Sequence, residues 1–250
     1  MLKIINSGCF GYMGRVVTNI AESDPNVKIV AGLDINDSGQ ADYPVFQDLL
    51  KFQNEADVII DFSHPSALDN LLAYALCKNI PLVLCTTGYS AEQFEALDVA
   101  SKKIPIFHSG NMSLGINLLS VLVKRAAQIL GEGFDIEIIE KHHRRKVDAP
   151  SGTALMLFNS AAAGLPYEPD IVYERESVRK PRGAHEIGVS AVRGGTIVGT
   201  HEVIFAGQDE IIELSHTATS RDIFALGAMR AAQFIKNKTP RMYNMEDILY

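Results

Sequence analysis

His142-His143-Arg144-Arg145-Lys146 is the densest basic run in a chain whose net charge is −7. It follows the β-type stretch Phe134–Glu140 and therefore sits at a strand end. Five residues beyond Lys146, Ser151-Gly152-Thr153 introduces a helix expected over Ala154–Ala163. A helix start presents backbone N–H groups without intrahelical acceptors, and its dipole favours an anion. Cations beside such a start make a carboxylate site on chemical grounds. A histidine among them suits proton transfer near neutral pH. Two plainer readings remain open. The run is a solvated basic loop followed by an N-cap, or it is a nuclear-localisation or nucleic-acid patch. Adjacent histidines lack the i,i+4 spacing of a helical metal pair, so no metal site is expected.

A second constellation lies near the N-terminus. Gly8-Cys9-Phe10-Gly11-Tyr12-Met13-Gly14 separates the β-type run Lys3–Asn6 from the helical pattern Arg15–Glu22. The β-rich run Val27–Leu33 comes next and stops at Asp34. The spacing is G-x-x-G-x-x-G, not the common G-x-G-x-x-G, and alone it asks only for a turn with positive φ. Strand, glycine turn, helix, strand and acid in order make a βαβ unit that fits a dinucleotide, with pyrophosphate on the helix start and Asp34 on the ribose. An acid in that place repels the 2′-phosphate of NADPH. Ile35-Asn36-Asp37 adds a second acid and no base, position 12 is Tyr12, and the nearest cation, Arg15, lies within the helix. NADH is therefore the expected preferred cofactor, with NADPH used less well.

The elements that must position these residues follow from periodicity. Val58–Phe62, Pro81–Cys85 and Ile104–Phe107 read as strands, and Ser66–Lys78 and Ser90–Lys102 as helices between them. The alternation predicts a parallel sheet covered on both faces. The pattern changes with one long helix over Ser113–Leu130. Strands His185–Val192, Thr200–Ala206 and Glu210–His216 come later, with Arg193-Gly194-Gly195 and Gly207-Gln208-Asp209 as turns between them. Sequential strands with short turns predict antiparallel pairing in a separate α+β domain. Asp222–Asn237 reads as a final helix. The fold class is thus α/β: an N-terminal Rossmann-type parallel sheet domain with a smaller α+β domain carrying a mixed open sheet.

Composition excludes several classes. With 250 residues, 47% hydrophobic and 21% charged, the chain is globular, not disordered or fibrous. Its acidic balance is poorly suited to nucleic acid or an anionic membrane. Cys9, Cys77 and Cys85 are odd in number and irregular in spacing, which argues against a disulfide framework or zinc knuckle. No signal peptide and no apolar run long enough to cross a bilayer are read, so a cytoplasmic protein is expected.

The stretch Glu140–Ala154 closely resembles the signature E-x-H-H-x-x-K-x-D-A-P-S-G-T-A of the dihydrodipicolinate reductase family. The resemblance extends to Asp61-Phe62-Ser63, Cys85-Thr86-Thr87-Gly88, Asn111–Asn117 and Ser220-Arg221, and so spans essentially the whole chain. It implies NAD(P)H-dependent reduction of 4-hydroxy-tetrahydrodipicolinate to tetrahydrodipicolinate in diaminopimelate and lysine biosynthesis. Two domains are implied, 1–112 completed by 221–250 for the dinucleotide and 113–220 for substrate and tetramerisation, with hinges near Met112 and Arg221. Carried over by residue, His142 resembles the catalytic acid and Lys146 its cationic partner. His143, Gly152 and Thr153 resemble substrate ligands, with Ser151 beside them. Gly8, Cys9, Phe10, Gly11, Tyr12, Met13, Asp34, Cys85, Thr86, Thr87, Ser109, Gly110, Asn111 and Met112 resemble cofactor contacts. Cys85 departs from the family's usual glycine and Tyr12 from its frequent basic residue. Two rivals are another Rossmann oxidoreductase acting on a small carboxylate and a non-enzymatic dinucleotide-sensing regulator. The first leaves the pairing of Lys146 with Ser151-Gly152-Thr153 unexplained, and the second wants a basic nucleic-acid module.

Overall fold

The structure is a computed structural model that describes residues 1–36 and 41–250. In chain order its elements begin β1 (Leu2–Ser7), α1 (Tyr12–Ser23), β2 (Val27–Leu33), β3 (Val45–Phe46), β4 (Val58–Asp61), α2 (Leu68–Lys78), β5 (Leu82–Leu84), α3 (Ala91–Ser101) and β6 (Ile106–His108). They continue with α4 (Leu114–Leu130), β7 (Asp135–His142), α5 (Gly152–Ala162), β8 (Asp170–Val172), β9 (Glu186–Arg193), β10 (Gly199–Ala206) and β11 (Ile211–Ala218). The chain closes with α6 (Asp222–Ile235), β12 (Met242–Tyr243) and α7 (Glu246–Leu249). Contacts divide it into two compact units, Met1–Ser113 with Asp222–Tyr250, and Leu114–Arg221.

The first unit is a seven-stranded parallel sheet in the order β12-β6-β5-β4-β1-β2-β3. Period-two alternation decides what covers it. Ile5, Ile59, Leu82, Leu84 and Ile106 join a core with Leu71, Tyr74 and Leu97 of α2 and α3. Phe107 faces the other way and meets Phe234 of α6 edge-on, with centroids 6.4 Å apart. Helix α1 packs beside α6. The strands are apolar because both faces are covered. Helix α3 starts where the sequence supplies a capping box, Ser90 with Gln93.

The second unit is a five-stranded mixed sheet in the order β11-β10-β7-β9-β8. Helices α4 and α5 pack on one face through Ile116, Leu119, Val123, Ala154 and Leu157, against Ile136, Ile138, Val189, Val203 and Phe205. The expected serial antiparallel pairing holds for β10 with β11 and fails for β9 with β10. Strand β7 lies between β9 and β10, parallel to the first and antiparallel to the second. Arg193-Gly194-Gly195, expected to be a hairpin turn, instead ends β9 and opens a connection that carries the chain past one strand. Strand β7, with Ile136 and Ile138 enclosed, gains neighbours on both edges this way.

Leu114–Gly133 is 20 residues of helix with mean hydropathy 1.3, long and apolar enough by length and composition to cross a membrane. That corrects the expectation that no run reaches this length. The stretch carries Lys124 and Arg125 mid-way, and its apolar side belongs to the unit's core.

Candidate functional site

In the first unit the glycine turn joins β1 to α1. Gly8 has φ +76°, and a Cβ there would lie 2.8 Å from Phe62 O. A Cβ on Gly14 would lie 2.1 Å from Gly8 O, so only glycine lets α1 close down on the turn. The glycines thus let the turn pack tightly between β1 and the start of α1, the close strand–helix geometry of a dinucleotide-binding βαβ unit. A cleft of about 650 Å³ opens beside it, lined by Gly8, Phe10, Gly11, Asp34 and the 3₁₀ and helical residues that follow β3 and β4. Asp34 is fixed in this cleft, its Oδ2 accepting from Phe10 N at 2.9 Å and its Oδ1 from Asn36 N at 2.9 Å. No Lys or Arg is among the described residues lining the cleft. Arg15 is exposed on α1, Tyr12 is 61% exposed, and Asp37 lies outside the described residues.

The other expected cofactor residues divide. Cys9 is buried beneath the turn; burial, reinforced by Asp34, pushes its thiol up to about 11. Cys85-Thr86-Thr87 follows β5 and Ser109-Gly110-Asn111-Met112 follows β6, both at the carboxyl edge of the sheet, the edge where open α/β sheets bind ligands. Thr86 is already committed: its Oγ1 donates to buried Asp61 Oδ2 at 2.7 Å. Ser7 Oγ donates to Asp61 Oδ1 at 2.7 Å, and Ser63 Oγ to the same oxygen at 2.5 Å. Asp61 thus ties the ends of β1, β4 and β5 together. Burial and Asp61 raise the Cys85 thiol well above its ordinary value, so it is a neutral wall and not a nucleophile. Met13 is half-buried on α1, and Met112 is buried.

In the second unit His142 ends β7 and is 9% exposed. Its Nδ1 lies 2.6 Å from Glu140 Oε2. Residues two apart on a strand share a face, so Glu140 and His142 project together. Arg193, opposite His142 in register on β9, donates Nη1 to Glu140 Oε2 and Nη2 to Oε1, each at 2.7 Å. Ser151 N donates to Glu140 Oε1 at 3.0 Å. Burial raises the Glu140 carboxyl, but Arg193, His142 and the Ser151 amide outweigh it and hold it below the usual range. His201 of β10 packs edge-on against His142, centroids 5.2 Å apart, with its Nε2 3.1 Å from Ser151 Oγ. Burial, reinforced by His142, lowers His201 to about 4.

Ser151 caps α5, its Oγ accepting from Ala154 N at 3.2 Å. The helix proper opens at Gly152, which is exposed, with Thr153 half-buried behind it. Lys146 is half-buried and pairs with Asp148 at 2.9 Å, while Arg144 and Arg145 are exposed. His143 Nδ1 is buried without a hydrogen-bond partner, and its Nε2 lies 3.4 Å from Arg221. Burial and the neighbouring Arg221 and Arg145 lower its pKa. The structure therefore gathers His142, His143, Lys146, Ser151, Gly152 and Thr153 around one strand end and one helix start. Glu140, Arg193 and His201 were not anticipated. The i,i+2 spacing of Glu140 and His142 on a strand was a usable signal; the other two arrive through sheet register, which no local pattern reveals.

The comparisons with known proteins agree along the whole chain. Residues 2–112 match the model described as dihydrodipicolinate reductase, N-terminus, and residues 115–249 its C-terminus counterpart. The chain is 51% identical over 249 residues to 4-hydroxy-tetrahydrodipicolinate reductase of Caldanaerobacter subterraneus subsp. tengcongensis, covering 100% of this chain and 98% of that one. It is 48% identical to the Clostridium novyi protein of that name at the same coverage. A solved structure, dipicolinate-bound dihydrodipicolinate reductase from Paenisporosarcina sp. TG-14, superposes with TM-score 0.82 at 26% identity, covering 99% of both chains.

Proposed function

The chain belongs to the dihydrodipicolinate reductase family and is an oxidoreductase of diaminopimelate and lysine biosynthesis; from that premise we propose how its residues reduce 4-hydroxy-tetrahydrodipicolinate to tetrahydrodipicolinate. The observation that carries the reading is the convergence of a carboxylate-paired His142 and a capped helix start on one face of the second unit. A bound reduced pyridine nucleotide supplies hydride, and the chain must supply a proton and hold a dianionic ring. The ring hydroxyl and a proton of the neighbouring carbon leave as water, hydride adds at the carbon that held the hydroxyl, and His142 Nε2 delivers a proton to the neighbouring carbon. The N–H groups of Gly152 and Thr153 receive one ring carboxylate, with Ser151 shaping the helix start and Lys146 and His143 alongside. The turn Gly8–Met13, with Cys9, Phe10, Gly11 and Tyr12, holds the pyrophosphate at the start of α1. The segments 85–87 and 109–112 border the nicotinamide.

NADH is the preferred cofactor in this reading. Asp34 stands in the cleft as an acceptor for ribose hydroxyls, and no lining cation among the described residues offsets it against a 2′-phosphate. The enzyme is cytoplasmic, in keeping with three free cysteines. It is a homotetramer with no nucleic-acid or membrane partner. The sheet face away from α4 and α5 carries Ile139, Val192, Ile204 and Ile211, of which Val192 and Ile211 are 45% and 65% exposed.

The test is cofactor oxidation with freshly generated cyclic substrate. Substrate-dependent oxidation with higher kcat/KM for NADH than NADPH, the gap narrowing in Asp34→Ala, is expected. Oxidation that does not depend on the ring substrate would refute the activity, and a preference for NADPH would refute the role of Asp34.

A further inference from the structure

We infer that Glu140, clamped by Arg193, is the positioning residue that decides which nitrogen of His142 delivers the proton and sets that imidazole against the anion-binding start of α5. The inference rests on the reading of His142 as proton donor.

Glu140 is fully buried, and both its oxygens are saturated. Oε2 takes His142 Nδ1 at 2.6 Å and Arg193 Nη1 at 2.7 Å; Oε1 takes Arg193 Nη2 at 2.7 Å and Ser151 N at 3.0 Å. Held ionised by these partners, the carboxylate can only accept. The proton between it and the imidazole therefore belongs to His142 Nδ1. That leaves Nε2 as the atom which gains and loses the catalytic proton, because it alone differs between imidazole and imidazolium. A neutral His201 at the ring edge adds no competing charge.

The same carboxylate also grips Ser151 N, one residue before α5 begins. Arg193 Nη2 in addition donates to Asp148 O at 2.6 Å, so the guanidinium pins the loop that carries Lys146. Acid, cation and helix start are thereby referred to one buried pair. Displacement of a catalytic group by about 1 Å can cost on the order of 10²-fold in rate, so this pair governs turnover without touching substrate.

Glu140→Gln keeps the shape, but its amide can donate to Nδ1 and so move the ring proton to Nε2. We expect kcat to fall about 10²-fold with the NADH Kd unchanged and a much smaller rise in KM for the ring substrate. Glu140→Asp, which keeps the charge, should recover part of the loss. In a His142→Gln background, Glu140→Gln should cost less than about 2-fold more, since residues acting as a unit are not additive. Nitrogen-15 NMR of labelled histidine, with His142→Gln as the assignment control, should show Nδ1–H in the wild type and Nε2–H in Glu140→Gln. This wild-type measurement stands even where a variant fails to fold. An Nε2–H tautomer in the wild type, or full additivity in the double variant, overturns the inference. Near-full turnover in His142→Gln alone overturns the reading beneath it, whatever the tautomer.

Discussion

At the scale of the residue, the basic run divides by burial. Lys146 is half-buried and paired with Asp148 at 2.9 Å, whereas Arg145 is exposed. Hydrogen bonds to charged groups contribute roughly 1.5–3 kcal/mol, so Lys146→Ala should weaken substrate use by about 10- to 100-fold in kcat/KM. Arg145→Ala should change it little. Steady-state kinetics decide, and equal losses would mean a diffuse charged patch. His201 yields a stability prediction. Its folded pKa of about 4 lies below its ordinary 6.5, so from pH 6.5 down to 4 the unfolded chain takes up a proton that the folded chain refuses. The stabilisation is complete above pH 6.5 and lost as pH falls through 4, a contribution of up to about 3 kcal/mol. Denaturant unfolding across that window should show a shallower pH slope in His201→Asn than in the wild type.

At the scale of the element, the glycine turn and α1 form one rigid joint. Gly14→Ala would drive a methyl to 2.1 Å from Gly8 O and 2.6 Å from Cys9 Cα, and overpacking of this kind costs about 1–3 kcal/mol. We expect a lower Tm and weaker NADH binding by fluorescence titration. Gly133→Ala, with open space around it, should leave both unchanged. The elements that the sequence made legible are those with sustained periodicity, among them α2, α3, α4, α6 and the strands between them. The two-residue strands β3 and β12 are too short to show a period, and β8, Asp170-Ile171-Val172, lacks the unbroken apolar run that marks β5. Arg193-Gly194-Gly195 has hairpin chemistry and so predicts β9 beside β10, whereas β7, distant in sequence, takes that place. His142, Lys146 and the helix start at Ser151 were readable from local types and spacing. Arg193 and His201 were not, since they meet Glu140 across strands distant in sequence.

At the scale of the whole molecule, the second unit's sheet has helices on one face only, and Val192 and Ile211 stand exposed on the other. Self-association would cover that face, and light scattering at micromolar concentration should give the mass of four chains; a monomer mass would refute the assembly. The proposed reduction needs His142 as the proton donor. The most direct measurement compares His142→Gln with the wild type for kcat on freshly generated substrate and for Kd of NADH. General acid catalysis contributes on the order of 10²–10⁴-fold, so kcat should fall by that much while the Kd stays the same. Near-wild-type kcat, or a loss explained by weakened NADH binding, would contradict it.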